Sequence, residues 1–402
     1  VRAAEAVTRR VLVPADVRFP LVRANGVQVV KTAAALARAG TPTTLVVRRS
    51  DPRPTPEVLR LYGLEPHPCL EVRRLRVLHR RGSFLLPRAA FLALATAAAA
   101  SALRRGALVF TRDLQLADLL VGLGAGAGVV YEAHAVETVM YAERGALYGT
   151  SEQAQPAKVA RLARREERVW RGAGGFVATT RGILEWFAEQ HGARPRVQVV
   201  PNGCDVAADR AFPGLAAEHP PRVLYAGQMY PWKGADVLVD AMTGVPGARL
   251  VLLGGLEGEA DLERLRAHVR ARGLEGRVEM PGTVGPARVA EELARAAVVV
   301  VPFLRTAMTE RHTSPLKAFE AMAAGRPLVA SDLPSSREFL RHGENALLVT
   351  PGDARALAEA VGRALGDRAL AERLARAGWE EAARYSWDAR AGALRALFAE
   401  VA

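Results

Sequence analysis

Lysine, asparagine and isoleucine are nearly absent from this chain: four Lys, three Asn and one Ile (Ile183) stand beside fifty-one Arg in 402 residues. A genome-wide base composition or an adaptation to heat produces such a bias, and exchange of Lys for Arg alone does not signal a thermophile. The scarcity sharpens what survives. Lys is a compact point charge where Arg is a planar fork, and Asn tolerates positive φ, so each retained copy marks a place where the commoner residue does not serve. Two cysteines, Cys69 and Cys204, exclude a disulfide framework and a cysteine-built metal site. No Asp-x-Asp pair and no His/Cys/carboxylate cluster with metal spacing occurs. The longest apolar run, residues 89–103, is alanine-rich and too short for a membrane span. No signal-peptide pattern opens the sequence. The expectation is a soluble cytoplasmic protein.

Charge is scarce in one half only. Residues 1–200 carry 30 Lys+Arg against 16 Asp+Glu, and residues 201–402 carry 25 against 26. All the excess of +13 therefore sits in the first half. A basic half fits an anionic partner or an anionic membrane surface, with peripheral attachment to the inner face of the cell membrane; a solvated face without a partner is the plain alternative. Nucleic acid competes, but the arginines lack aromatic interleaving or a binding motif. Arg73, Arg74, Arg76, Arg80 and Arg81 precede the apolar Phe84-Leu-Leu86 and Phe91-Leu-Ala-Leu94, a pattern that suits a lipid surface and equally the edge of a first core.

Length and a hydrophobic content of 50% point to two domains. Apolar strands alternate with amphipathic helices along the whole chain. Strands are expected at residues 11–13, 44–47, 108–110, 129–131, 176–178 and 197–200. A second set is expected at 222–226, 249–253, 278–280, 298–301, 328–330 and 347–349. Helices are expected at 26–39 and 157–171 in the first half. Such alternation means α/β architecture: two doubly wound parallel sheets facing each other across a cleft. The boundaries read as 1–204, 205–380 and a helical 381–402 that packs back across the first domain. Pro201-Asn-Gly203 through Pro220-Pro221 reads as the hinge. The glycine run 122–128 has helix-like sequence before it and a strand after it, the reverse of a dinucleotide loop, so it reads as a connection.

Ligands of open parallel sheets bind beyond the carboxyl ends of the strands. Candidate motifs gather there: Gly227-Gln-Met-Tyr-Pro-Trp-Lys-Gly234, Gly254-Gly255, Gly282-Thr-Val284 and the segment 312–320. In the last, Thr313 or Ser314 is expected to cap a helix, with Pro315 in its first turn and a stop at Gly325. Free N–H groups at such a helix start form an anion site. Lys317 in that turn opposes the helix dipole unless an anion is bound. Glu320 lies one turn on, on the same face. Phosphate below and a carboxylate above, accepting from ribose hydroxyls, would hold a nucleoside diphosphate.

The motifs resemble those of retaining glycosyltransferases with the GT-B fold, the large family-4 type (glycosyl transferases group 1). That family carries a Gly-Arg…Lys-Gly turn, an Asn-Gly-x-Asp hinge and two glutamates with seven residues between them, ending in Glu-Ala-Met-Ala-x-Gly-x-Pro. Here stand Lys233-Gly234, Pro201-Asn-Gly-Cys-Asp205 and Phe319-Glu-Ala-Met-Ala-Ala-Gly-Arg-Pro327. In the first half, Asn25-Gly26-Val27 resembles the glycine loop facing the donor, and Tyr131-Glu-Ala-His134 resembles a strand-end histidine near the sugar. The resemblance implies a nucleotide sugar, UDP- or GDP-linked, bound by the second domain. It implies an acceptor glycan, lipid or small phosphorylated molecule on the first. It implies pyrophosphate contacts from Lys233 and Lys317, a ribose contact from Glu320 and a sugar contact from His134. It also implies donor-site positions at Asn25, Gly26, Gly227, Gln228, Gly282, Thr283, Val284, Ser314, Pro315 and Leu316, hinge positions at Asn202, Gly203 and Asp205, and no metal or cofactor. Two departures stand out. Gln228 replaces the usual Arg, so Arg311 or Arg305 is expected to supply the missing phosphate contact. His312 replaces the first Glu, so sugar recognition does not carry over there. Thr179-Thr180 is a weaker candidate; Glu132 either orients His134 or faces the core. A nucleotide-sugar epimerase or a small-acceptor sugar synthase on the same scaffold is the rival reading.

Overall fold

The computed structural model describes residues 9–21, 23–77, 85–207 and 209–401. Thirteen strands form two all-parallel sheets among these residues. The first contains β1 (Val11–Phe19), β2 (Thr43–Arg49), β3 (Leu70–Leu75), β4 (Leu108–Thr111), β5 (Val129–Ala133), β6 (Gly175–Ala178) and β7 (Val197–Val199), in spatial order β3-β2-β1-β4-β5-β6-β7. The second contains β8 (Arg222–Ala226), β9 (Arg249–Leu253), β10 (Val278–Gly282), β11 (Ala296–Val301), β12 (Leu328–Ser331) and β13 (Leu347–Val349), in order β10-β9-β8-β11-β12-β13. Chain order reverses direction between β1 and β4, and again between β8 and β11; these are the switch points where doubly wound sheets place their ligands. The central strands β4, β5, β6, β8 and β12 are buried along their whole length, as expected of strands covered by helices on both faces.

Every strand expected from the sequence is present. β3 is an addition: its alternating exposure marks a half-covered edge strand, and its arginines hid it inside a basic run. Arg73 turns back to Glu71 at 2.7 Å, and Arg74 donates to the carbonyls of Asp51 and Arg53. Two of the five arginines of the proposed lipid-facing segment are thus held by local contacts; Arg80, Arg81 and Phe84 lie outside the described residues. Phe91 is fully buried. Among the described residues no helix is long and apolar enough to cross a membrane.

The helix Trp387–Glu400 seals the first domain. Trp387, Leu394, Leu397 and Phe398 join the core beneath the helix Ala24–Arg38, and the Phe398 ring meets Phe110 at 5.5 Å. In its first turn Arg390, 3% exposed, pairs with Glu132 near the end of β5 and donates to the carbonyls of Val200 and Pro201. Two further contacts hold the connecting segment. The Asn202 amide donates to the Ser314 carbonyl at 2.7 Å while the Ser314 hydroxyl accepts from the Asn202 N–H at 3.0 Å, and Lys31 pairs with Asp205 at 2.8 Å. Gly203 lies against the Trp387 ring.

Candidate functional site

A cavity of about 180 Å³ opens between the two sheets, at the carboxyl ends of β8, β9 and β11. Gly227, Gln228 and Lys233 reach it from the segment after β8, and Thr283 and Val284 from the segment after β10. Pro315, Leu316, Lys317 and Glu320 reach it from the helix start that follows β11. Arg23, Ala24 and Val27 close it from the first domain. The fold therefore gathers nine of the expected donor-site positions into one space.

Local sequence explains how each group gets there. Pro231-Trp-Lys233 forms a tight helical turn that ends at Gly234. There φ is +72°, and any Cβ would stand 1.8 Å from the Pro302 carbonyl; only glycine allows the turn to press against the end of β11. The Lys233 ammonium then lies 4.0 Å from the Trp232 ring centre and 4.6 Å from that of Phe303. The rings offer some cation–π stabilisation, but no carboxylate among the described residues pairs with it, and burial lowers the Lys233 pKa to about 7. The Tyr225 hydroxyl donates to the Gln228 carbonyl at 2.6 Å and fixes that turn. The Gln228 side-chain oxygen, buried at the cavity wall, has no hydrogen-bond partner among the described residues.

The helix Leu316–Ala323 begins differently from the expectation. Pro315 is its N-cap, and neither Thr313 nor Ser314 caps it. Thr313 donates back to the Met308 carbonyl, and Ser314 is occupied by Asn202. The first-turn N–H groups consequently have no side-chain cap. Lys317 does have an anionic partner: its ammonium is 2.6 Å from Glu320 Oε2. The phosphate-binding and ribose-binding candidates hold each other, both half-buried on the cavity wall.

Other candidates fall elsewhere. Asn25 and Gly26 are in the first turn of the helix that starts at Ala24, and not in a loop. Asn25 is exposed. A Cβ on Gly26 would stand 2.0 Å from the Leu21 carbonyl, so the fold of its own chain already requires glycine there. The Gly282 carbonyl accepts from the Gly254 N–H at 2.8 Å and shapes the end of β10 behind the wall. His312 is outside the cavity, 3% exposed, with both ring nitrogens unpartnered among the described residues; burial and then Arg311 hold its pKa down at about 4. Thr180 caps the helix Arg181–His191 and donates to the Arg311 carbonyl. Arg305 pairs with Glu310, and Arg311 reaches towards Glu189 at 3.7 Å. Neither lines the cavity, so neither fills the place beside Gln228.

His134 follows β5 and does not line this cavity. Its Nε2 stands 2.9 Å from Glu132 Oε2, and burial followed by Arg112 keeps its pKa well below the usual histidine value. Glu132, 2% exposed, also accepts from Gln28 at 3.2 Å and pairs with Arg390. Glu132 thus faces the core, and His134 Nε2, though close to it, makes no hydrogen bond among the described residues. Arg390 and Arg23 were invisible as site residues: their partners lie 258 and 236 positions away in sequence. Among the described residues no group of three or more metal-binding side chains occurs.

Residues 25–203 match the Glycosyl transferase 4-like domain family, and residues 220–367 match the family Glycosyl transferases group 1. Over 252 residues the chain is 32% identical to the D-inositol 3-phosphate glycosyltransferase of Xylanimonas cellulosilytica, a match that covers 58% of this chain and 59% of that protein. It is 35% identical over 212 residues to the phosphatidyl-myo-inositol mannosyltransferase of Mycobacterium leprae, covering 50% and 53% respectively. The chain thus spans little more than half the length of these curated relatives. In fold it is similar to the sucrose-phosphate synthase of Thermosynechococcus elongatus, with a TM-score of 0.74 at 23% identity over 97% of this chain and 98% of that one.

Proposed function

Since the chain belongs to the glycosyl transferases of group 1, we propose that it moves a sugar from a UDP- or GDP-linked donor to an acceptor hydroxyl with retention of configuration. One observation carries this reading: Lys233, Lys317 and Glu320 share one cavity at the switch point of the second sheet. Two cations beside an uncapped helix start suit a diphosphate, and they stabilise the charge that grows on it as the glycosidic bond breaks. Glu320, released from Lys317, accepts from the ribose hydroxyls. Gln228 offers its free carbonyl or amide to the nucleotide.

Among the described residues Glu320 is the one carboxylate lining the cavity, and its place in the pair with Lys317 suits it to ribose, not to attack on the sugar. No second carboxylate among them is poised there as a nucleophile, which favours same-face attack in which the donor phosphate takes the acceptor proton. His134, neutral and at the carboxyl end of β5, is the first-domain residue assigned to position the sugar. The acceptor is assigned to the first domain, whose excess positive charge suits a phosphorylated or lipid-linked molecule. The two curated relatives, named for inositol phosphate and phosphatidylinositol acceptors, point the same way. The reaction as proposed uses lysines and helix dipoles and needs no metal.

The test is direct. The purified protein is incubated with UDP- and GDP-hexoses together with inositol phosphate or phosphatidylinositol vesicles, with and without chelator. Formation of an α-linked product from an α-linked donor, unaffected by chelator, is expected. Release of UDP or GDP with an inverted product, or epimerised donor with no transfer, would refute it.

A further inference from the structure

We propose that Arg23, from the first domain, is the fixed cation that grips the donor diphosphate, so that phosphate binding and closure of the cleft are one event. The inference rests on the nucleotide-binding reading above and adds a residue that neither the sequence motifs nor the homology assigns.

The charge of the cavity makes the case. A nucleoside diphosphate brings two to three negative charges. Lys233, with a pKa of about 7, is protonated only part of the time near neutrality. Lys317 is neutralised by Glu320 at 2.6 Å. Gln228 is neutral. The second domain by itself therefore presents little permanent positive charge to the ligand. Arg23 lines the same cavity from the other side; it too has a carboxylate partner, Glu259, but a guanidinium stays charged at any relevant pH and that one contact leaves most of its N–H donors free among the described residues.

Its anchoring suits the task. Arg23 is the N-cap residue of the helix Ala24–Arg38, so its backbone is set by that helix start while its side chain is free to reach across. Its Nη2 donates to Glu259 Oε1 at 2.9 Å. Glu259 in turn is the N-cap residue of the helix Ala260–Ala271 in the second domain and accepts from the Leu256 N–H at 3.0 Å. The pair spans the mouth of the cleft, about one-third exposed on each side. One edge of the guanidinium is thus fixed by Glu259. Its Nε and Nη1 have no acceptor among the described residues, which leaves donors for non-bridging phosphate oxygens. Glu259 acts as a positioning residue, holding the fork in place as the domains meet.

Isothermal titration compares UDP and GDP with uridine and guanosine, which lack the phosphates, on the wild type and on Arg23→Ala, Arg23→Lys and Glu259→Gln. Loss of a charge-assisted contact predicts affinity for the diphosphate reduced about tenfold to a hundredfold in Arg23→Ala, with nucleoside affinity unchanged. Arg23→Lys, a point charge without the fork, should recover part of the loss, and a weaker dependence on salt should accompany Arg23→Ala. Glu259→Gln should weaken diphosphate binding less than Arg23→Ala does. Equal diphosphate affinity in Arg23→Ala and wild type would overturn the assignment, as would a parallel loss of nucleoside affinity, which marks a structural role. A wild type that binds neither UDP nor GDP would instead sink the nucleotide reading itself, and this inference with it.

Discussion

Lys233 meets two aromatic rings and no carboxylate among the described residues, and the cost of burying an ammonium without a counter-ion brings its pKa to about 7. A diphosphate beside it favours the charged form and restores the pKa towards the usual lysine value. Between pH 7 and that restored value the complex holds a proton that the empty site lacks. Binding in this window therefore takes up a proton, and affinity falls as pH rises, by up to about tenfold per unit. Titrations of UDP and GDP between about pH 6.5 and 9 should show this slope in the wild type and lose it in Lys233→Met; the same slope in both would exclude Lys233 from the phosphate contact. Lys233 and Lys317 were legible because lysine is so rare here. Arg23 was not, for the opposite reason: one arginine among fifty-one carries no signal until the fold shows which of them faces the cavity.

At the scale of the element, the helices report where local rules prevail and where packing overrides them. The helix Leu316–Ala323 stops at the glycine that the sequence marks, but it starts on Pro315 because Ser314, a good cap by composition, is claimed by Asn202. The helix Ala24–Arg38 includes Asn25 and Gly26, both poor helix formers, and the Leu21 carbonyl lies where a Gly26 Cβ would be, so position 26 takes glycine for close packing despite its low helix propensity. Strand positions were readable from short apolar runs, whereas β3 was masked by its exposed arginines. The most consequential contact at this scale is the buried pair of Arg390 with Glu132, which ties the terminal helix Trp387–Glu400 to β5 and to the connecting segment. Burial, and then the nearby Arg112, lower the Arg390 pKa to about 9. Arg390→Ala strands Glu132 in the interior and should cost about 3–5 kcal/mol of stability, read by denaturant unfolding. Arg390→Met with Glu132→Gln, which removes both charges, should recover much of that loss; a single variant as stable as wild type would show that the pair does not hold the helix.

The whole molecule joins a basic first domain to a near-neutral second one, and its cleft is closed by ties on several sides. Glu143 of the first domain accepts from the first N–H groups of the helix Ala307–Arg311, and Glu338 of the second accepts from the N–H groups of Arg181 and Gly182. Tyr148 and Tyr230 meet edge to face at 5.1 Å, and Arg23 pairs with Glu259. Such ties suit a donor site completed only on closure, with water excluded from the reacting sugar. On the reading proposed above, a nucleoside diphosphate sits in this cavity between Lys233 and Lys317. A crystal structure of the protein with UDP or GDP is the decisive measurement. The diphosphate is expected beside both ammonium groups, with the Lys317–Glu320 pair opened and Glu320 on the ribose hydroxyls. A nucleotide bound elsewhere, or one bound with that pair intact, would contradict that reading.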